Sequence, residues 1–200
     1  NVFIISDEIY EHIRFEGDHF SLAAIPELYS RVITVNGVSK SFAMTGWRIG
    51  YIAASKEIAK ACTKMQGQFT SAPSGISQMA TVAAMEMNPA DLEPMVKEFK
   101  KRRELMIDGL SKIDGVVCNR PEGAFYLFPK ISSLFGKSHN DMQINNASEL
   151  SMYLLETAHV ATVSGSAFGA DEYIRLSYAA SEEDLKKALD RLKIAIDQLN

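Results

Sequence analysis

Lys40 stands just past an apolar run, in the segment Gly37-Val38-Ser39-Lys40-Ser41-Phe42-Ala43-Met44-Thr45-Gly46-Trp47-Arg48-Ile49-Gly50. An amine can bond covalently to a carbonyl group once its ammonium has lost a proton. Arg48, eight residues on, offers a planar fork of donors in which two N–H groups match two phosphate oxygens. The glycines on both sides let backbone approach a bound group closely. These residue types together suit a cofactor that is held covalently and carries a phosphate. Lys40 on its own would read as a solvated loop lysine; its neighbours give it chemistry.

Three other residues have types and positions that could act with it. Asp7 directly follows an apolar run at 2–6, where an unpaired carboxylate is costly and calls for a cationic partner. It could equally cap a helix, as aspartates after short strands often do. Tyr10 comes three residues later and, taken alone, would be a packing residue. Arg175 lies between Ile174 and Leu176 in a strand-like run, so it points to the opposite face from both. It could bind a carboxylate with two parallel hydrogen bonds or serve a structural salt bridge.

The elements that must position these residues can be read from periodicity. Apolar runs at 2–6, 32–38 and 49–54 read as strands covered on both faces, hence a parallel or mixed sheet between helices. The third could be a reversed edge strand. Asp7 and Tyr10 follow the first run and Lys40 the second, and ligands of open α/β sheets gather at the carboxyl ends of strands. Helices are predicted at 56–69 and from 77 to about 87, parted by Thr70-Ser71-Ala72-Pro73-Ser74-Gly75. Apolar residues from Leu92 to Ile113 recur at helical spacing with Arg103 interrupting the line, and 97–103 reads as a solvated helix face. Strands are predicted at 116–119, 124–129, 160–163 and 173–178, a surface loop at 138–146, and a last helix opened by Ser181 and Asp184. The expected fold is α/β in two domains, 1–93 with a mixed, mostly parallel sheet and 94–200 a small α+β domain.

Composition narrows the function. The 200 residues are 46% apolar with a formal net charge of -4, which gives no reason to expect nucleic acid or a membrane surface as partner. Cys62 and Cys118 lack a C-x-x-C arrangement and read as two buried thiols of a cytoplasmic protein. His12, His19, His139 and His159 show no metal-ligand spacing, so no metal site is expected.

The segment 37–50, with Ser6-Asp7-Glu8-Ile9-Tyr10 upstream and Tyr173-Ile174-Arg175-Leu176-Ser177-Tyr178 downstream, resembles the class I, fold type I aminotransferases that use pyridoxal 5′-phosphate (PLP). The resemblance covers essentially the whole chain and points to the bacterial aspartate aminotransferase branch. It implies that Lys40 attaches the cofactor and later moves a proton between the substrate α-carbon and the cofactor. It further implies that Asp7 pairs with the protonated pyridine nitrogen, Tyr10 bonds the phenolic oxygen, Arg48 holds the phosphate and Arg175 clamps the substrate α-carboxylate. The chain departs from the pattern at Gly37, where many relatives place a phosphate-binding serine, and at Ser164, where relatives often have proline. Residues 123–126 and 164–169 are similar to the family's segments that approach substrate.

The activity implied is transfer of an amino group between an L-amino acid, aspartate first, and a 2-oxo acid such as 2-oxoglutarate, in a homodimer. Two alternatives share the same residues: another PLP reaction, of the C–S lyase or ACC-synthase type, and an aminotransferase-like sensor domain of a transcription regulator. The resemblance also implies that the chain is the C-terminal half of such a protein, 1–93 being the remainder of its PLP-binding large domain. Such a piece could fold and catalyse nothing by itself.

Overall fold

The structure, a computed structural model, describes residues 2–200. It divides into two compact units, Asn1–Val96 and Lys97–Asn200. In the first, Ile4–Asp7 (β1) runs parallel to Val32–Gly37 (β2), and β2 runs antiparallel to Gly50–Ala53 (β3). The sheet is therefore mixed, and β3 is the reversed edge strand. Val2 and Phe3, expected inside the first strand, lie outside it and are exposed. The register sets Asp7 opposite Val35 and Gly37 opposite Gly50. The carboxyl ends of β1 and β2 and the start of β3 thus share one edge of the sheet.

Two helices follow, Lys56–Phe69 (α1) and Gly75–Met85 (α2). The second starts two residues earlier than the sequence pattern indicates and ends before Met87. Among its described residues α1 buries none, and α2 buries only Thr81 and Ala84. Cys62, on α1, is exposed and Cys118 half-buried, which corrects the expectation of two buried thiols. Burial pushes the Cys118 thiol up to about 11, so it stays protonated and unreactive near neutral pH.

Helix α3 (Glu93–Leu110) carries Arg103, which is fully buried and not part of a solvated face. Its Nε and Nη2 donate to Glu104 Oε1 at 2.9 and 2.7 Å, and Nη1 donates to the Pro121 carbonyl at 2.5 Å. Arg120 Nη2 reaches the other Glu104 oxygen at 2.6 Å. A buried guanidinium needs such partners, and they explain the polar break in an apolar stripe.

The second unit holds a small antiparallel sheet. Tyr126–Leu127 (β4) is followed by a hairpin of Ser138–His139 (β5) and Met142–Gln143 (β6), then by helix Ala147–Tyr153 (α4). Val163–Ser164 (β7) and β4 flank Ile174–Ser177 (β8). The strand expected at 116–119 reduces to one bridge, Val117 to Lys130, and the loop expected at 138–146 contains the hairpin. Helix α5 (Glu182–Asp197) starts where the cap predicts: Ser181 Oγ accepts from the Asp184 N–H at 3.1 Å. Its buried Leu185, Leu189, Leu192 and Ile196 form one face and join Leu127, Ile131, Leu134 and Leu150 in the core of this unit. No helix of the described residues is long and apolar enough to cross a membrane.

Candidate active site

Four of the five residues singled out in the sequence line one open cavity of about 540 Å³ in the first unit: Asp7, Tyr10, Lys40 and Arg48. Asn36, Ser39 and Thr45 complete its polar side-chain lining. Convergence follows from the sheet, because Asp7 ends β1, Lys40 follows β2 and Arg48 precedes β3. Arg175 lies on β8 in the second unit.

Lys40 is carried by a tight turn. The Phe42 and Met44 N–H groups both donate to the Val38 carbonyl, at 3.3 and 3.4 Å, and Ala43 takes a left-handed conformation, φ +53°. Lys40 Nζ is 5.9 Å from the centre of the Tyr10 ring. Arg48 is also left-handed, φ +57°, after the short helical turn Thr45–Trp47, and its Nη1 donates to the Thr45 carbonyl at 2.8 Å. Two non-glycine residues in this sparsely populated region, within one loop, are a cost that functional sites tend to carry.

Asp7 is exposed, not desolvated as its position after an apolar run indicated. Its Oδ1 accepts the Ile9 N–H at 3.2 Å, a local turn-capping bond with no helix behind it. Gly37 has a packing task of its own. A Cβ on Gly37 would lie 2.8 Å from the Ile49 carbonyl oxygen and 3.1 Å from Gly50 Cα, so Gly37 lets β2 and β3 approach each other. Restoring the serine that many relatives carry, Gly37→Ser, should therefore destabilise the protein by about 1–3 kcal/mol through overpacking. Urea unfolding measures this, and an unchanged midpoint would contradict it.

Next to Asp7, and missed in the sequence, sits a buried carboxylate. Glu8 Oε2 meets His19 Nε2 at 2.8 Å, and Glu8 Oε1 accepts from Ser21 Oγ at 2.8 Å and Ser6 Oγ at 3.0 Å. Asn36 Nδ2 donates to Glu11 Oε1 at 2.8 Å while its Oδ1 accepts the Gly37 N–H at 2.7 Å. The Asn36–Glu11 bond ties the turn bearing Tyr10 to β2, and the Glu8 bonds tie it to the loop carrying His19 and Ser21. Glu8, Glu11 and His19 bring possible metal-ligand atoms within 4.8 Å of one another, but each is already engaged in a hydrogen bond or ion pair. No local spacing could have flagged a group assembled from a turn and a loop.

Burial pushes the Glu8 carboxyl up, but hydrogen bonds from His19, Ser21 and Ser6 outweigh it and hold it below the usual carboxylate range. A folded-state value below the unfolded one gives stability that is present above the unfolded pKa and is lost as pH falls through the folded one. The protein should lose stability on acidification below about pH 4, the ordinary glutamate range, and Glu8→Gln should flatten that slope. Urea midpoints measured from neutral to acid pH test it; equal slopes in both proteins would contradict it.

The sequence pattern that defines the family Aminotransferase class I and II matches residues 1–192. The chain belongs to this family. Among similar class I and II aminotransferases, the aspartate aminotransferase of Rhizobium meliloti (strain 1021) is 46% identical over 100% of this chain and 50% of its own length. The bifunctional aspartate aminotransferase and glutamate/aspartate-prephenate aminotransferase of Petunia hybrida is 49% identical over 96% of this chain and 41% of its own. The crystal structure of the Rhizobium meliloti aspartate aminotransferase superposes with a TM-score of 0.94 over 100% of this chain and 50% of that one, at 46% identity. A Thermus thermophilus aspartate aminotransferase double mutant does so at 0.85 over 96% and 48%, at 39% identity. The chain thus spans about half the length of the curated aminotransferases it matches.

Proposed function

We propose that the protein is a PLP-dependent aminotransferase that moves an amino group between an L-amino acid, aspartate first, and a 2-oxo acid such as 2-oxoglutarate. The observation that carries this reading is the shared cavity of Asp7, Tyr10, Lys40 and Arg48. Its donor set fits the cofactor group by group: a carboxylate for a protonated ring nitrogen, a phenol for the phenolic oxygen, an amine for the aldehyde and a guanidinium for the phosphate. When bound, PLP supplies an electron-accepting ring that spreads negative charge from the substrate α-carbon.

The chain's own residues have separate tasks in this reading. Asp7 keeps the ring nitrogen protonated, Tyr10 orients the ring through a hydrogen bond, and Arg48 anchors the tail with two parallel N–H donors. Lys40 would attach the cofactor and would serve as the general base that takes the proton from the substrate α-carbon. Arg175 binds the substrate α-carboxylate. Residues 1–93 are the PLP-binding part and 94–200 the small domain.

The names of the relatives support aspartate as amino donor. The whole protein is proposed to act as a homodimer in the cytoplasm. The two free cysteines fit a reducing compartment. Supplied with PLP, L-aspartate and 2-oxoglutarate, the protein should form glutamate and oxaloacetate in equal amounts. No glutamate from these substrates, together with release of pyruvate, ammonia and a thiol from an S-substituted L-cysteine, would overturn amino transfer in favour of elimination chemistry.

A further inference from the structure

Arg175 is held by rings rather than by acids. Its guanidinium carbon lies 4.5 Å from the centre of the Tyr126 ring and 4.7 Å from that of Phe168. The strand register accounts for the first contact. Tyr126 pairs with Ser177, which shares a strand face with Arg175, so Tyr126 is its diagonal neighbour. Phe168 ends the helical turn Gly165–Phe168 that follows β7, and β7 pairs Val163 with Arg175. Phe168 is itself braced edge-on by Phe128, 5.9 Å between ring centres, and Phe128 stacks on Tyr173 at 5.1 Å and 9°.

The chemistry of the contact matters as much as its geometry. All five guanidinium donors lie in the plane of the group, whereas a ring meets the group through its faces. Two rings can therefore restrict a long, rotamer-rich side chain without occupying the N–H edge, whereas an ion pair would restrict it by consuming that edge. An arginine restrained in advance loses less freedom when a carboxylate arrives, and binding is correspondingly tighter. We propose that Tyr126 and Phe168 are positioning residues that seat Arg175 for the substrate α-carboxylate and so set substrate affinity. This rests on the carboxylate role given to Arg175 above.

Two readouts on the PLP-loaded protein test it. Phe168→Leu, at a residue 50% exposed, should raise KM for L-aspartate about fivefold while kcat holds, the pattern of lost ground-state binding. Phe168→Tyr keeps the ring and should keep the wild-type KM. In an Arg175→Met background, Phe168→Leu should add nothing, because the cycle isolates their coupling. Independently of turnover, the Arg175 Nε–H proton should resonate upfield through ring currents and move downfield in Phe168→Leu. A resonance that does not move, or an equal Phe168→Leu effect with and without the guanidinium, overturns the seat. If Arg175→Met leaves KM unchanged, the carboxylate role itself falls, and the positioning proposal with it, even though the resonance still moves.

Discussion

Lys40→Ala should abolish both covalent uptake of PLP and amino transfer. Lys40 is the one lysine lining the cavity that also holds Asp7, Tyr10 and Arg48, so no neighbouring amine there can take its place. General base catalysis alone contributes about 10²- to 10⁴-fold, and loss of covalent attachment adds to that. The variant should still bind PLP reversibly, because the phosphate and ring contacts proposed for Arg48 and Asp7 do not involve Lys40, and dialysis should then remove it. Lys40→Arg should behave alike, since a guanidinium keeps the charge but cannot lose its proton. Absorption spectra before and after dialysis, with amino-transfer rates, check both variants; retained turnover in either would refute the role of Lys40.

Glu104→Ala should be the most destabilising single change among those considered in the second unit. It removes the carboxylate that meets the fully buried Arg103 guanidinium through two hydrogen bonds. Removing one partner of a buried ion pair costs about 3–5 kcal/mol. About 3 kcal/mol is expected here, because the Glu104 side chain is itself 42% exposed and solvent screens part of the pair. Even that shifts the folding equilibrium by roughly two powers of ten. Arg120→Ala removes only the outer pair, whose arginine is 53% exposed, and should cost about 1 kcal/mol or less. Urea unfolding of the two variants should give clearly separated midpoints with a common slope; equal midpoints would contradict the buried pair.

What is legible in the sequence is the edge of the sheet where the chemistry gathers. Apolar runs mark the strands, and the rule that ligands collect at strand ends brings Asp7, Tyr10 and Lys40 together without coordinates, whereas Arg48 joins them through the antiparallel register of β2 with β3. Burial is not legible in the same way. An apolar run predicts a desolvated Asp7, yet the strand ends there and the carboxylate faces the open cavity. Arg103 fails in the opposite sense: it belongs to a basic run but is fully buried, because its partners Glu104 and Pro121 are supplied by the next residue and by a distant loop.

The hairpin at Ser138–His139 and Met142–Gln143 is invisible for a related reason. Its strands are two residues each and mostly polar, it turns at Asn140 with φ +52°, and Ser138 exchanges both backbone hydrogen bonds with Asn200, at 2.9 and 3.0 Å. Pairing with the far end of the chain leaves no periodicity to read. The seat of Arg175 likewise depends on the register of β4 with β8 and on a helical turn after β7, which alternation within one strand does not report.

Attachment of PLP can be read directly by treating the protein with the cofactor, reducing with borohydride, digesting and mapping the modified lysine by mass spectrometry. A cofactor seated among Asp7, Tyr10 and Arg48 places the label on the peptide containing Lys40, in roughly one copy per chain, and Lys40→Ala eliminates it. Label scattered over the exposed lysines of α1, α3 and α5, with Lys40 unmodified and the alanine variant labelled equally, would contradict it.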